Sequence, residues 1–357
     1  MNILHVVGAR PNFMKVAPVM SALKGRPGVV QTLVHTGQHY DASMSEVFFE
    51  QLGIPKPDLN LEVGSGTHAR QTADIMTRLE PAIATHQPGL VLVYGDVNST
   101  VAAALLCAKL GVRVGHVEAG LRSFDRSMPE EINRLVTDQL SELLFTPSED
   151  GDENLRREGI ASEKIHRVGN VMIDSLVRLL PVARQQSRNG FPDRYALVTL
   201  HRPGNVDDAN TLRSILQSLL EVSQEMEVVF PAHPRTRKRI AEFGLNAAQL
   251  RLIEPQPYVD FLGLLTGATV VITDSGGIQE ETTYLGVPCL TVRENTERPI
   301  TVSQGTNVLV GHDRDKLRTE ISKVLSGSAK KGAIPPLWDG KAGERIADVL
   351  TMQLQSA

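Results

Sequence analysis

Thr273-Asp274-Ser275-Gly276-Gly277-Ile278-Gln279-Glu280-Glu281 follows the apolar run Ala268-Thr269-Val270-Val271-Ile272 and continues to Leu285, where Gly286 and Pro288 stop it. The apolar run reads as a strand buried on both faces, which is how strands of a parallel sheet look in sequence. The stretch from Gly276 to Leu285 reads as a helix closed by a glycine and a proline. The strand therefore ends in a Ser-Gly-Gly turn that opens a helix. Unsatisfied amides and the helix dipole make such a turn a seat for phosphate. The spacing is neither that of the phosphate loop of ATPases nor the G-x-G-x-x-G of dinucleotide folds. A phosphorylated ligand is expected, and ordinary use of ATP or NAD is not.

The same strand-turn-helix alternation runs through the chain. Strands are expected at 3–7, 31–35, 90–94, 113–117, 143–146 and 165–168, with helices at 12–24, 43–52, 70–86, 99–110 and 130–141. A second set of strands follows at 195–200, 228–232, 250–253, 270–273, 288–291 and 307–310, with helices at 210–224, 235–243, 259–265, 278–285 and 314–325. This pattern predicts an α/β protein of two doubly wound, Rossmann-like domains with a ligand cleft facing both sheets. A polar, turn-rich stretch at 184–193 reads as the connection, which places a boundary within 169–193. A loop rich in Gly, Pro and Lys over 330–341 precedes a last helix at 342–353.

Composition narrows the partners. The 357 residues suffice for two domains, and 41% are hydrophobic. Lys plus Arg number 37 against 41 Asp plus Glu, a balance of −4 with no long basic block, so nucleic acid is not an expected partner. The cluster Arg235, Arg237, Lys238 and Arg239 is expected to decorate a helix or bind an anion. Cys107 and Cys289 sit in apolar surroundings and read as buried, reduced thiols. The first residues run straight into a strand without the layout of a signal peptide, and no apolar stretch has the length of a membrane span. A cytoplasmic location is expected.

Polar residues collect where strands end, the place where open α/β sheets hold ligands. Gly8-Ala9-Arg10-Pro11 ends the first strand, and Lys15 lies one turn into the next helix. Gly95-Asp96 ends another, followed by Ser99, which suits a helix cap. His116-Val117-Glu118-Ala119-Gly120-Leu121-Arg122 ends a third, where a plain ion pair of Glu118 with Arg122 competes with a chemical role. Pro129-Glu130-Glu131 starts a helix, and one of its two acids is accounted for by the helix dipole. In the second half, His201-Arg202-Pro203 leaves an apolar strand, as does Ala232-His233-Pro234, and Glu297-Arg298-Pro299 adds a cation. Together they make a carboxylate-bearing half and an anion-binding half. That set suits proton abstraction with a phosphate leaving group, or glycosyl transfer from a sugar nucleotide. It does not suit a metal centre or a Gly-x-Ser-x-Gly hydrolase.

Over nearly its whole length the chain resembles the UDP-N-acetylglucosamine 2-epimerases of the non-hydrolysing bacterial type. The resemblance rests on Gly8-Ala9-Arg10-Pro11, Thr36-Gly37-Gln38-His39, Gly95-Asp96, the 115–122 stretch, Pro129-Glu130-Glu131-Ile132-Asn133-Arg134, His201-Arg202, the stretch 273–281 and Thr296-Glu297-Arg298-Pro299. It implies a fold of GT-B type, with domains at 1–168 and 169–341 and the final helix at 342–357 packing back on the first. It also implies a homodimer, and epimerisation of UDP-GlcNAc to UDP-ManNAc without NAD or metal, by loss of UDP to a 2-acetamidoglucal and its re-addition. By motif, Arg10, Lys15, Asp96, Glu118 and Glu130 line the reaction side. His201, Gln256, Phe261, Ser275, Gly276, Gly277, Glu281 and Arg298 line the nucleotide side. Asp96, Glu118 and Glu130 share the proton transfers, and a carboxylate doing so is expected to be desolvated or crowded by like charge. On that resemblance, amides of 275–277 are expected to hold the diphosphate, Glu281 to accept from the ribose, and Gln256 and Phe261 to place the uracil. His201, Arg298 and Arg10 are expected to stabilise the departing UDP. Alternatives are a hydrolysing epimerase, a glycosyltransferase on the same fold and a non-catalytic sensor. Family members activated by their own substrate carry His-Arg-Arg-Glu where this chain has His201-Arg202-Pro203-Gly204. They also have an Arg-Glu pair where it has Tyr40-Asp41-Ala42-Ser43, so substrate activation is expected to be weak or absent.

Overall fold

The structure, a computed structural model, describes residues 1–38, 49–50, 52–185 and 190–355. The helix expected at 43–52 falls mostly outside them, and His39 and the stretch 40–43 wholly so. The chain divides into one unit of Met1–Arg178 with Pro336–Ala357 and a second of Leu179–Pro335.

In the first unit, β1 (Asn2–Val7), β2 (Val30–His35), β3 (Leu59–Asn60), β4 (Leu90–Tyr94), β5 (Val114–Val117), β6 (Leu143–Thr146) and β7 (Ile165–Arg167) form one sheet. Its order is β3-β2-β1-β4-β5-β6-β7, and every pairing is parallel. The second unit has β8 (Tyr195–Thr199), β9 (Glu227–Pro231), β10 (Arg251–Ile253), β11 (Val270–Thr273), β12 (Cys289–Thr291) and β13 (Asn307–Leu309). These run in the order β10-β9-β8-β11-β12-β13, again all parallel. Both orders reverse direction beside the first strand of the unit, between β1 and β4 and between β8 and β11. That reversal leaves a crevice at the carboxyl ends of the two strands, because their helices depart to opposite faces.

The central strands are covered on both faces: β4 and β11 are buried from end to end. Leu4, Val6, Val91, Val93 and Ala103 pack in the first unit, and Val198, Leu216, Phe230 and Ile272 in the second. Local chemistry sets where helices begin and stop. Pro11 sits in the first turn of Arg10–Leu23. Left-handed Gly111 and Gly286 end Asn98–Leu110 and Gly276–Leu285.

Several elements differ from expectation. Glu149–Arg157 is a helix despite Gly151, because a carboxylate-rich first turn and a last turn with Arg156 and Arg157 complement the dipole. Val171–Gln185 is a helix that carries Pro181, so the polar stretch read as a connection begins as helix. The division of the chain falls inside it, after Arg178. Short helices at Pro203–Val206 and Pro299–Ser303, each opened by its proline, were too brief to give a periodic signal. Both cysteines are free and buried, with burial pushing Cys107 up to about 12 and Cys289 to about 11.

The terminal helix Ala342–Gln355 belongs to the first unit, where it packs on Arg10–Leu23. Asp174 caps it, accepting from the Ala342 and Gly343 amides at 3.1 and 2.7 Å. Just before it, the buried Trp338 donates through its indole to the Pro147 carbonyl. Burial outweighs the two amides and pushes the Asp174 carboxyl up to about 6. A raised folded value means the native state binds the proton more tightly than the unfolded chain. Asp174 should therefore cost stability progressively as pH rises from about 4 to about 6. Urea unfolding across that window should show wild type losing stability relative to Asp174→Asn as pH rises; parallel curves would refute the assignment.

Candidate functional site

In the first unit the reversal point gathers Gly8 at the end of β1, Asp96 after β4 and Glu118 after β5. Glu118 has a left-handed backbone, φ 76°, and its amide and that of Ala119 both donate to the Phe145 carbonyl. Its side chain pairs with Lys15, Oε2 to Nζ 2.7 Å, with exposures of only 3% and 6%. The ion pair of Glu118 with Arg122 is not what forms: Arg122 instead pairs with Asp138 and Glu158. Asp96 is half-buried and bonds to the buried Arg134. Arg134 in turn holds Glu131 at 2.6 Å, and Glu131 accepts the Ser123 and Phe124 amides. These bonds hold the Glu131 carboxyl below its usual range against the opposing effect of burial. Of the two acids at the helix start, Glu131 is thus spent on the fold, while Glu130 is exposed. Glu118 is desolvated as expected, but Asp96 and Glu118 each carry a cation partner rather than a like charge. Ser99 is not a cap; Val97 holds that position, and the Ser99 hydroxyl bonds Thr36 and Gln38. Arg10 is exposed in the first turn of its helix.

In the second unit the reversal point brings His201, just past β8, to Asp274, just past β11. Asp274 is wholly buried, and His201 Nδ1 lies 2.8 Å from its Oδ1 while the imidazole stays half exposed. The same carboxylate accepts from the His201 and Arg202 amides and from Asn205 Nδ2. Burial works against its charge, yet His201 and these donors hold it below the usual carboxylate range. A carboxylate on Nδ1 fixes the ring with that nitrogen protonated and leaves Nε2 to exchange a proton or donate to an anion.

The helix after Asp274 opens at Gly276, with Ser275 as its cap and no side-chain cap bond. The Ser275 amide donates to Thr273 Oγ1 at 3.0 Å, so it is the first-turn amides from Gly276 onward that lack an intrahelical acceptor. A Cβ on Gly276 would lie 2.3 Å from an Arg298 nitrogen and 2.6 Å from Glu297 Oε1. Glycine here makes room for a buried ion cluster. Arg298 is held by Glu280 at 2.8 Å and by Glu297, and Glu297 also binds Arg293 at 2.8 Å. Glu281 is buried and accepts from the Tyr258 hydroxyl at 2.8 Å. That bond ties the helix Tyr258–Gly267, which carries the half-buried Phe261, to the helix opened by Gly276. Gln256 is half-buried and donates to the Glu254 carbonyl. The basic cluster decorates its helix: Arg235 and Arg239 pair with Asp207, and Arg237 with Glu254.

Asp274, Glu297, Arg134, Asp138 and Tyr258 were not singled out from sequence. Asp274 had a signal, a charge at the end of the buried strand Val270–Thr273. The others sit on helices or loops; Arg134, Asp138 and Tyr258 are recruited by Asp96, His116 and Glu281, distant in the chain, while Glu297 pairs with the nearby Arg293 and Arg298. Among the described residues no group of three His, Cys, Asp or Glu has the arrangement of a metal site, and no helix is long and apolar enough to cross a membrane.

Two parallel sheets, each with a charged site at its reversal point, define an α/β protein of the GT-B type shared by nucleotide-sugar enzymes. The family model for UDP-N-acetylglucosamine 2-epimerase matches residues 21–351. The chain is 42% identical to the UDP-N-acetylglucosamine 2-epimerase of Methanocaldococcus jannaschii, over 98% of this chain and 99% of that one. It is 43% identical to the UDP-2,3-diacetamido-2,3-dideoxy-D-glucuronate 2-epimerase of Pseudomonas aeruginosa, over 98% and 99%. The crystal structure of the M. jannaschii enzyme in complex with UDP-GlcNAc and UDP matches with a TM-score of 0.91 at 41% identity, over 99% of this chain and 100% of that one. The chain belongs to the UDP-N-acetylglucosamine 2-epimerase family, a family of isomerases.

Glu297 is the most heavily compensated acid of the second unit. Burial opposes its charge, but Arg298, Arg293 and Arg202 hold it well below the usual range. Glu297→Gln should leave buried guanidinium charge uncompensated and cost about 3 kcal/mol. Because the folded value is depressed, this stability is present above the unfolded value near pH 4 and fades as pH falls through the folded one. Acid unfolding should thus be less steep in Glu297→Gln; an unchanged neutral-pH stability would refute the reading.

Proposed function

We propose that this chain interconverts UDP-GlcNAc and UDP-ManNAc by eliminating UDP across C1–C2 to a bound 2-acetamidoglucal and adding it back after C2 is reprotonated on the other face. The observation that carries this is Glu118. It is a dry carboxylate, locked in a left-handed backbone and touching Lys15, beside Asp96 on the neighbouring strand end, in a member of an epimerase family. Asp96, Glu118 and Glu130 share the proton transfers, with Glu118 first because its solvent is gone and its position is held. Lys15 keeps the charge on Glu118 balanced when no substrate is present.

In the second unit, the amides from Gly276 onward receive the diphosphate. His201, oriented by Asp274, donates through Nε2 to the departing UDP, with Arg10 adding positive charge. Arg298 is neutralised by Glu280 and Glu297, so its part is to shape the helix opening rather than to supply net charge. The Glu281 oxygens face the ribose, and Gln256 and Phe261 place the uracil. The reading includes a homodimer and no metal or nicotinamide, for which the family resemblance is the support, and a cytoplasmic setting.

A second substrate is favoured by one observation. The relative that acts on UDP-2,3-diacetamido-2,3-dideoxy-D-glucuronate is as similar as the M. jannaschii enzyme. Both sugars should be offered to the purified protein in deuterated water and followed by proton NMR. Deuterium at C2 with formation of the epimer is the expected result for one of them. Net release of UDP with a free sugar would indicate the hydrolysing reaction instead, and no C2 exchange with either sugar would overturn epimerisation. Glu118→Gln and His201→Ala should each lower exchange by about 100-fold or more. Initial rates should be hyperbolic in sugar nucleotide, given Pro203-Gly204 after His201-Arg202. Sigmoidal rates straightened by trace UDP-GlcNAc would show substrate activation after all.

A further inference from the structure

The acid site of the first unit rests on a second carboxylate that touches no candidate substrate group. Asp138 is wholly buried on the helix Pro129–Leu140. Its Oδ1 lies 2.6 Å from His116 Nδ1. Its Oδ2 accepts the Gly120 amide at 3.1 Å and pairs with Arg122 at 2.7 Å. His116 and Gly120 each stand two residues from Glu118, one on either side, so the two oxygens of one carboxylate grip both flanks of the residue with the strained backbone. A non-glycine residue in the left-handed region persists only where its surroundings over-determine it.

The charge state of the grip is set by its partners. Burial opposes ionisation of Asp138, yet His116 and Arg122 hold its carboxyl below the usual range, so it is a carboxylate and only accepts. The other ring nitrogen of His116, Nε2, lies 2.8 Å from the Gly95 carbonyl, which also only accepts. With an acceptor facing each nitrogen, the ring satisfies both contacts only by donating from both sides. Gly95 in turn lies against Lys15: a Cβ there would sit 2.6 Å from its Nζ. Fixing the Gly95 carbonyl therefore fixes the wall against which the lysine meets Glu118. Arg122 completes the row, bound to Glu158 through both its Nε and a terminal nitrogen.

We propose that Asp138 is a positioning residue for Glu118, acting through a doubly protonated His116 that holds Gly95 and through the Gly120 amide. It keeps the acid and Lys15 in register without touching the sugar. This rests on the epimerase reading for its consequence in turnover, though not for the charge state of His116.

The test uses the whole chain with nitrogen-15 in its histidines. In wild type the His116 ring should show a bound hydrogen on both nitrogens at neutral pH. In Asp138→Asn one of these hydrogens should be lost. Exchange at C2 should fall by about 100-fold, the scale of a misplaced reacting group, through kcat rather than KM, while affinity for UDP stays within about threefold. His116→Gln can donate to the Gly95 carbonyl but removes one of the two cations paired with Asp138, leaving it Arg122. It should show the same split, and it serves if Asp138→Asn does not fold. A neutral His116 in wild type, or C2 exchange within about threefold of wild type in either folded variant, would overturn the proposal. A wild-type protein that exchanges no C2 hydrogen removes the epimerase reading and the positioning role with it. The ring-nitrogen spectrum still reports by itself whether the buried cation exists.

Discussion

A carboxylate taken out of water needs a partner for its charge, and every site in this molecule is built around that need. Glu118 has Lys15, Asp138 has His116 and Arg122, Asp274 has His201 and a set of amides, and Glu297 has three arginines. Removing one member of such a pair leaves a buried charge alone, which costs more than the pair contributes. These pairs therefore act as pins. They fix backbone at strand ends, where the chain turns sharply and where a reacting group must be held within fractions of an ångström.

The pins sort into two kinds. Asp138 and Glu297 are sealed and satisfied, so they serve the fold around a site. Glu118 and His201 stand at the strand ends themselves, each held in one position: Glu118 by its backbone and Lys15, His201 by Asp274 on Nδ1, which leaves Nε2 for a ligand. A titratable group held in place at a strand end suits proton transfer or the stabilisation of developing charge. The first unit carries the acids and the second the imidazole and the helix amides.

The glycines at these sites obey the same logic. Gly276 is small because Arg298 and Glu297 occupy the space its side chain would need. The Ser-Gly-Gly turn is thus shaped by an ion cluster behind it. Gly95 similarly yields its side-chain space to the Lys15 ammonium.

The sequence by itself determined the parallel α/β architecture, the two successive sets of strands and the concentration of polar residues at strand ends. Those features depend on local periodicity and on glycines and prolines that stop helices, and such signals survive in a linear reading. It also singled out Glu118, His201 and the 275–277 turn as candidates, because polar groups after apolar strands stand out. Tertiary structure alone decided the partners. Glu118 takes Lys15 rather than the nearer Arg122, Arg298 is neutralised by two acids, and the Ser275 amide is spent on Thr273. It also decided that Val171–Gln185 is helix where polarity suggested a connection. Pairing among buried charges depends on which side chains meet across the sheet and between helices. Residues as distant in the chain as Lys15 and Glu118 can supply both members of a pair, so spacing along the chain does not encode the choice.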